Sequence, residues 1–135
     1  MNPVKSVKSW VLKRAVVKQT IVFQWQKKGK PNPPPHVVKQ RTLRAYAQTY
    51  GLKILVETGT YFGDMVEAMK TDFDKIYSIE LSEEFYRQAK LRFKDAAHVE
   101  IIQGDSGIEL ETINEQDKST HAILARRPLF RRSNG

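Results

Sequence analysis

Three carboxylates, Glu57, Glu80 and Asp105, each follow a short apolar run that reads as a β-strand. The runs are Ile54-Leu-Val56, Lys75-Ile-Tyr-Ser-Ile79 and Val99-Glu-Ile-Ile102. One acid in a strand-to-helix loop is often no more than a helix cap. Three of them, beside a glycine turn, form a pattern. Glu80 lies 21 residues after Gly59, at the end of the second strand. An acid at that place in a nucleoside-binding fold accepts from two ribose hydroxyls, because the two carboxylate oxygens match a vicinal diol. The same acid repels a 2′-phosphate.

The turn after the first strand, Glu57-Thr-Gly-Thr-Tyr-Phe-Gly63, departs from the G-x-G-x-x-G spacing of dinucleotide sites. Gly59 and Gly63 permit backbone angles and close approach that side chains would block. Glu57, just ahead of them, would sit badly against a pyrophosphate. It suits a cationic ligand, such as one carrying an amino group and a sulfonium.

The elements that must hold these residues follow from periodicity and turn chemistry. Val37 to Tyr50 reads as a helix with Val38, Leu43, Tyr46, Ala47 and Tyr50 on its apolar face and Gly51 as its stop. Asp64 to Lys70 reads as a second. A third spans 82–94, with Ser82 as N-cap, Glu83 and Glu84 in the first turn, and Phe85, Ala89 and Phe93 facing inward. Gly104-Asp-Ser-Gly107 leads to a further helix over Ile108–Ile113. Helices alternating with strands predict an α/β fold with a parallel sheet, binding ligands beyond the carboxyl ends of its strands.

Composition divides the chain further. The 135 residues carry a net charge of +8. Residues 1–56 hold 12 Lys/Arg and no acid, residues 57–118 hold all 15 acids against 7 Lys/Arg, and residues 119–135 hold 4 Arg and no acid. The domain reading is a basic amphipathic arm at 1–30, a Pro-rich linker at 31–36, a ligand-binding domain at 37–118 and a basic tail at 119–135. In the arm, Val4, Val7, Val11 and Ala15 recur at helical spacing among lysines. It could pack its apolar residues on the domain or lie on an anionic membrane surface. Nucleic acid is the least supported partner, for want of a reading motif. Pro31-Asn-Pro-Pro-Pro35 is a stiff spacer, and His36 beside it is assigned no chemistry. Absence of cysteine excludes disulfides and thiolate chemistry, and no metal set is expected. No apolar run is long enough to span a membrane, and the N-terminus lacks the pattern of a signal peptide. A cytoplasmic setting is therefore expected, with contact to the inner face of the membrane through residues 1–30.

Residues 54–110 resemble the S-adenosylmethionine-binding half of a class I methyltransferase. Val56-Glu-Thr-Gly-Thr-Tyr-Phe-Gly63 is similar to that family's first motif, Tyr77-Ser-Ile-Glu80 to its ribose-binding strand end, and Ile101-Ile-Gln-Gly-Asp-Ser106 to its adenine loop. With Pro33-Pro-Pro-His-Val-Val-Lys-Gln40, the chain resembles a bacterial branch of O-methyltransferases acting on small molecules or sugars. The resemblance implies a cofactor site of Glu57, Thr58, Gly59, Thr60, Gly63, Glu80, Asp105 and Ser106. Glu57 would orient the methionine and ribose portion, which the Gly59 and Gly63 backbone approaches. Glu80 would bind the ribose hydroxyls. Asp105 would accept from the adenine amino group, and the Ser106 N–H would bond a ring nitrogen. None of these is a catalytic base.

A complete domain of that family has seven strands in the order 3-2-1-4-5-7-6. Here strands 1 to 3 with their helices are expected, an incomplete Rossmann-like sheet preceded by the basic arm. The fourth should be an apolar run ending in Asp. Instead the chain reads Thr120-His-Ala-Ile-Leu-Ala-Arg-Arg-Pro-Leu-Phe-Arg-Arg-Ser-Asn-Gly135. The arginines and Pro128 argue against a buried strand. Back-translation of His121–Gly135, shifted by one base, permits Thr-Leu-Phe-Trp-Leu-Asp-Ala-His-Tyr-Ser-Gly-Gly-Gln-Thr, which resembles the expected motif. The tail is thus read as out of frame. On that reading the first strand has an open edge, and the product is a truncated, inactive remnant prone to aggregate. The alternative is a non-catalytic module that binds S-adenosylmethionine or a partner protein.

Overall fold

The computed structural model describes residues 3–117 and 122–126. The chain divides into two units, residues 1–41 and 42–135.

The first unit contains α1 (Pro3–Lys27) and the opening of α2 (His36–Tyr50). Gly29 and Lys30, both at positive φ, end α1, and the Lys30 N–H donates to the Trp25 carbonyl at 3.0 Å. The indole Nε1 of Trp25 donates to the Pro31 carbonyl at 2.9 Å. The Pro35 carbonyl accepts from the Val38 and Lys39 N–H groups and so starts α2. Prolines lack the N–H that a helix interior needs, so Pro31–Pro35 stays outside both helices.

The second unit is a parallel sheet with helices on both faces. It comprises the end of α2, β1 (Ile54–Thr58), α3 (Asp64–Met69), β2 (Lys75–Glu80), α4 (Glu83–Arg92), β3 (Val99–Gln103), α5 (Ser106–Gln116) and β4 (Ala122–Arg126). The sheet order is β3-β2-β1-β4, and all three strand pairs are parallel. Gly51 at φ 62 ends α2, where the Leu52 N–H donates back to the Ala47 carbonyl. Alternation along the strands divides the core between two faces. Leu55, Ile76 and Ile101 pack with Leu43, Ala47, Met65, Val66, Met69, Phe73, Ala89 and Phe93 on one face. Ile54, Val56, Tyr77 and Ile79 pack with Ile113 of α5 on the other. Burying Leu55 or Ile76 fully contributes about 1.5–3 kcal/mol each.

The fourth strand corrects the expectation of three strands with an open edge on β1. Ala122–Arg126 pairs with β1 along its whole length, from Ile54↔Ala122 to Thr58↔Arg126. A parallel ladder is built from main-chain groups, so it needs no particular side chains. Ile123 and Ala125 turn toward the core cluster, while Arg126 ends the strand and remains exposed. Arg126 lies at the tip of the strand and not in its buried interior. Pro128 and the rest of the out-of-frame reading lie outside the described residues. Two smaller expectations also change. Tyr46 and Tyr50 are exposed and stack on each other, so Val37, Leu43 and Ala47 form the buried side of α2. Phe85 is only half-buried and belongs to a ring cluster at the site.

Candidate cofactor site at the carboxyl ends of β1 and β2

The chain runs outward from β1 to β2 to β3, then returns to the opposite side of β1 as β4. The strand order therefore reverses at β1, and in open α/β sheets the crevice for ligands lies beyond the carboxyl ends at that point. Thr58, Gly59 and Thr60 occupy that end of β1.

Gly59 takes φ 83, and its N–H donates to the Ile79 carbonyl of β2 at 2.8 Å. Gly63 takes φ 80 and caps α3, with its N–H on the Thr60 carbonyl. A Cβ at Gly63 would lie 2.6 Å from the Phe93 ring. Glycine is needed there for both the angle and the space. Between the two, Tyr61 also has positive φ, 52°, an uncommon conformation for a bulky residue. Arg92 fastens the end of the turn, donating to the Phe62 carbonyl and to Asp64 Oδ1.

That turn reaches Glu80. The Tyr61 N–H donates to Glu80 Oε2 at 2.8 Å, and the Ser82 N–H donates to Oε1 at 2.9 Å. Two loops thus hold the plane of one buried carboxylate. Each oxygen has two lone pairs, and each of these bonds uses one. The clamp fixes where a vicinal diol would have to present its hydroxyls. Tyr61, Phe62 and Phe85 stand beside it, with Tyr61–Phe62 and Tyr61–Phe85 centroids 4.0 and 4.6 Å apart.

Below the turn is a chain of buried polar groups. Glu57 and Ser78 are register partners across β1 and β2. Ser78 Oγ donates to Glu57 Oε2 at 2.7 Å, and Thr60 Oγ1 lies 2.7 Å from Ser78 Oγ. Their relative exposures are 7% for Glu57, 0% for Ser78 and 4% for Thr60. The single Ser78 proton goes to the carboxylate, so the Thr60 hydroxyl donates to Ser78. Among the described residues no buried side-chain polar atom lacks a partner.

Asp105 caps α5, its Oδ1 accepting from the Gly107 N–H at 2.7 Å, and Ser106 begins that helix. Asp105 is exposed and Ser106 half-buried, at the carboxyl end of the edge strand β3. Ser78 joins Glu57 to Thr60, the Gly63 N–H bonds the Thr60 carbonyl, Glu80 holds the same turn through the Tyr61 N–H, and Gly59 is tied to β2. The geometry gives no bond from Asp105 or Ser106 to that group. Sequence reasoning missed two contributors. Ser78 could have been found as the one small polar residue in an apolar strand. The Tyr61 N–H had no signal, since a backbone group carries none.

Tyr77 lies on the opposite face of the sheet from this network. Burial pushes its phenol above the usual value; Lys75 opposes this, and Asp117 and Glu100 reinforce it. Among the described residues no cluster of His, Asp and Glu could hold a metal ion.

A parallel sheet of this order with helices on both faces is a Rossmann-like fold, the kind seen in class I methyltransferases. Among solved structures the chain is similar to an O-methyltransferase from Bacillus cereus in complex with SAH, at 15% identity and a TM-score of 0.55. That match covers 81% of this chain and 53% of the other. It is also similar to the O-methyltransferase TomG of Streptomyces achromogenes, involved in tomaymycin synthesis and in complex with SAM. There the identity is 16% and the TM-score 0.54, covering 79% of this chain and 52% of that one. The chain spans about half the length of both. No protein-family model matches it, and no curated protein matches it.

Proposed function

We propose that this chain forms the S-adenosylmethionine-binding half of an O-methyltransferase acting on a small molecule or sugar. The observation that carries the reading is the clamped carboxylate of Glu80 beside the Gly59–Gly63 turn. It presents two fixed acceptors to a ribose diol, as expected for a nucleoside. Glu57, buried ahead of the turn, supplies the negative charge that favours a cationic sulfonium ligand. Thr58, Gly59, Thr60 and Gly63 shape the floor of the site. Asp105 and Ser106 are assigned the adenine.

S-adenosylmethionine supplies an activated methyl group, which an acceptor oxygen takes as the carbon–sulfur bond breaks and the sulfur keeps the electron pair. The acceptor proton must leave to a base. This reading assigns that base to no residue of the chain, whose own part is binding and orientation.

Titration calorimetry with S-adenosylmethionine on the full chain tests the reading. Binding, weakened in Glu80→Gln, is the expected result, and no binding by a folded protein overturns it. The out-of-frame reading of the tail is tested by the gene sequence across the codons for residues 115–135. If a one-base shift does not yield the motif ending in Asp, that reading fails. If it does, the frame-restored protein is the one to assay for methyl transfer.

A further inference from the structure

The helix α1 carries a surface that water alone does not explain. It is 25 residues long, and its side chains are described from Ser9 onward. At 100° per residue, Trp10, Val17 and Ile21 fall within one narrow stripe. All three are exposed, at 57%, 57% and 39%, and Leu12, Val16 and Phe23 are exposed as well, on the opposite face of the helix. Lys13 flanks the stripe on one side, and Arg14 and Lys18 flank it on the other. The Arg14 guanidinium lies 4.6 Å from the Trp10 ring centroid. Trp10, Lys13, Arg14, Val17 and Lys18 together line one shallow hollow.

Residues 1–30 contain eight Lys/Arg and no Asp or Glu, so none of these charges is neutralised within the segment. Apolar side chains in water with cations at both flanks call for a partner that is apolar and anionic at once. A nucleic acid would satisfy the cations, but Val17 and Ile21 gain nothing against phosphate. A bilayer with anionic headgroups satisfies both. Trp10, Val17 and Ile21 would enter the boundary of headgroups and acyl chains, and the Lys and Arg stems would reach back to lipid phosphates and carboxylates. Among the described residues no helix is long and apolar enough to cross a membrane. We propose that α1 is an interfacial helix that lies on an anionic lipid surface through the Trp10–Val17–Ile21 stripe.

The test is co-sedimentation of the full chain with vesicles of phosphatidylcholine alone, or of phosphatidylcholine mixed with phosphatidylserine. The expected result is binding to the mixed vesicles only, falling steeply with added salt. Each of Lys13→Gln, Arg14→Gln and Lys18→Gln should weaken it about five-fold, the value of one cation near such a surface. Val17→Ser should weaken it without altering its salt dependence. Because all these positions are exposed, circular dichroism should show unchanged folding. Trp10→Phe should abolish most of the tryptophan emission shift seen on adding vesicles. Absence of binding to the mixed vesicles overturns the proposal, as does equal binding to both vesicle types. So does binding of duplex DNA as tight as that of lipid with Val17→Ser without effect on either, because the surface would then be only a basic patch.

Discussion

Ser78 donates its hydroxyl to Glu57 across the β1–β2 ladder at 2.7 Å, and the two residues are direct register partners. Two strands that are consecutive in the sheet thus share a buried polar bond at the base of the Gly59–Gly63 turn. Thr60, the third member, sits in the turn itself and joins through Ser78. The network therefore connects the packing of the sheet to the shape of the site.

Ser78→Ala should destabilise the protein by about 1–3 kcal/mol, because it leaves Glu57 and Thr60 buried without this partner. Urea unfolding followed by circular dichroism measures it. In Glu57→Gln the extra cost of Ser78→Ala should shrink, since the charged acceptor is gone. Equal costs in both backgrounds would show that the bond contributes nothing specific.

Glu80→Gln should weaken S-adenosylmethionine binding by on the order of tenfold to a hundredfold, as expected for hydrogen bonds to a charged group. The amide has a single acceptor oxygen, while the Tyr61 and Ser82 N–H groups each need one. The turn should therefore loosen as well. Calorimetry on the variant reads the affinity, and amide hydrogen exchange at Tyr61 reads the turn. An unchanged affinity would remove Glu80 from the site.

Gly63→Ala should lower stability by about 1–3 kcal/mol. Its φ of 80 is unfavourable for any side chain, and the added methyl would lie 2.6 Å from the Phe93 ring. Gly51→Ala has the same kind of backbone angle with open space around it. It should cost less, and the difference between the two midpoints isolates the clash.

The Tyr77 phenol titrates above its ordinary value of 10.0 in the folded protein, from burial first, with Lys75 pulling the other way. Above pH 10 the unfolded chain therefore loses this proton before the folded one does. The stability associated with the shift is fully present below pH 10 and falls as pH rises toward the folded value. Tyr77→Phe should flatten the alkaline fall in unfolding midpoint between pH 9 and 11. Parallel profiles for the two proteins would contradict it.

Arg126 pairs in register with Thr58 at the carboxyl end of β1, beside the proposed site for a sulfonium cation. Arg126→Asp should raise affinity for S-adenosylmethionine by a factor of about 3 to 10 at low salt, and by less at 0.5 M salt, since exposed charges are screened. It should change affinity for the neutral thioether product far less. Equal gains for both ligands would point to a steric cause.

Much of this protein is legible along the chain. Apolar runs bounded by Gly51, the Gly59–Gly63 turn and Gly104 mark β1, β2 and β3, and Ser82 marks the start of α4. These signals are local, since periodicity and capping act over a few residues. Glu57, Gly59, Gly63 and Glu80 could be singled out in the same way. Other features were not legible. The four arginines and Pro128 of residues 120–135 argue against a buried strand, yet parallel pairing supplies main-chain bonds to any sequence that can alternate, and Arg126 stands at the tip. Phe85 keeps helical spacing but packs on Tyr61 and Phe62, because the turn after β1, distant in sequence, lies against the start of α4. The sequence by itself determined which residues stand at the strand ends and which turns need glycine. Only the tertiary structure decided that Ser78 lies opposite Glu57, that the Tyr61 N–H reaches Glu80, and that β4 closes against β1. Those are choices of register between distant segments, set by which packing buries both faces of the sheet at once.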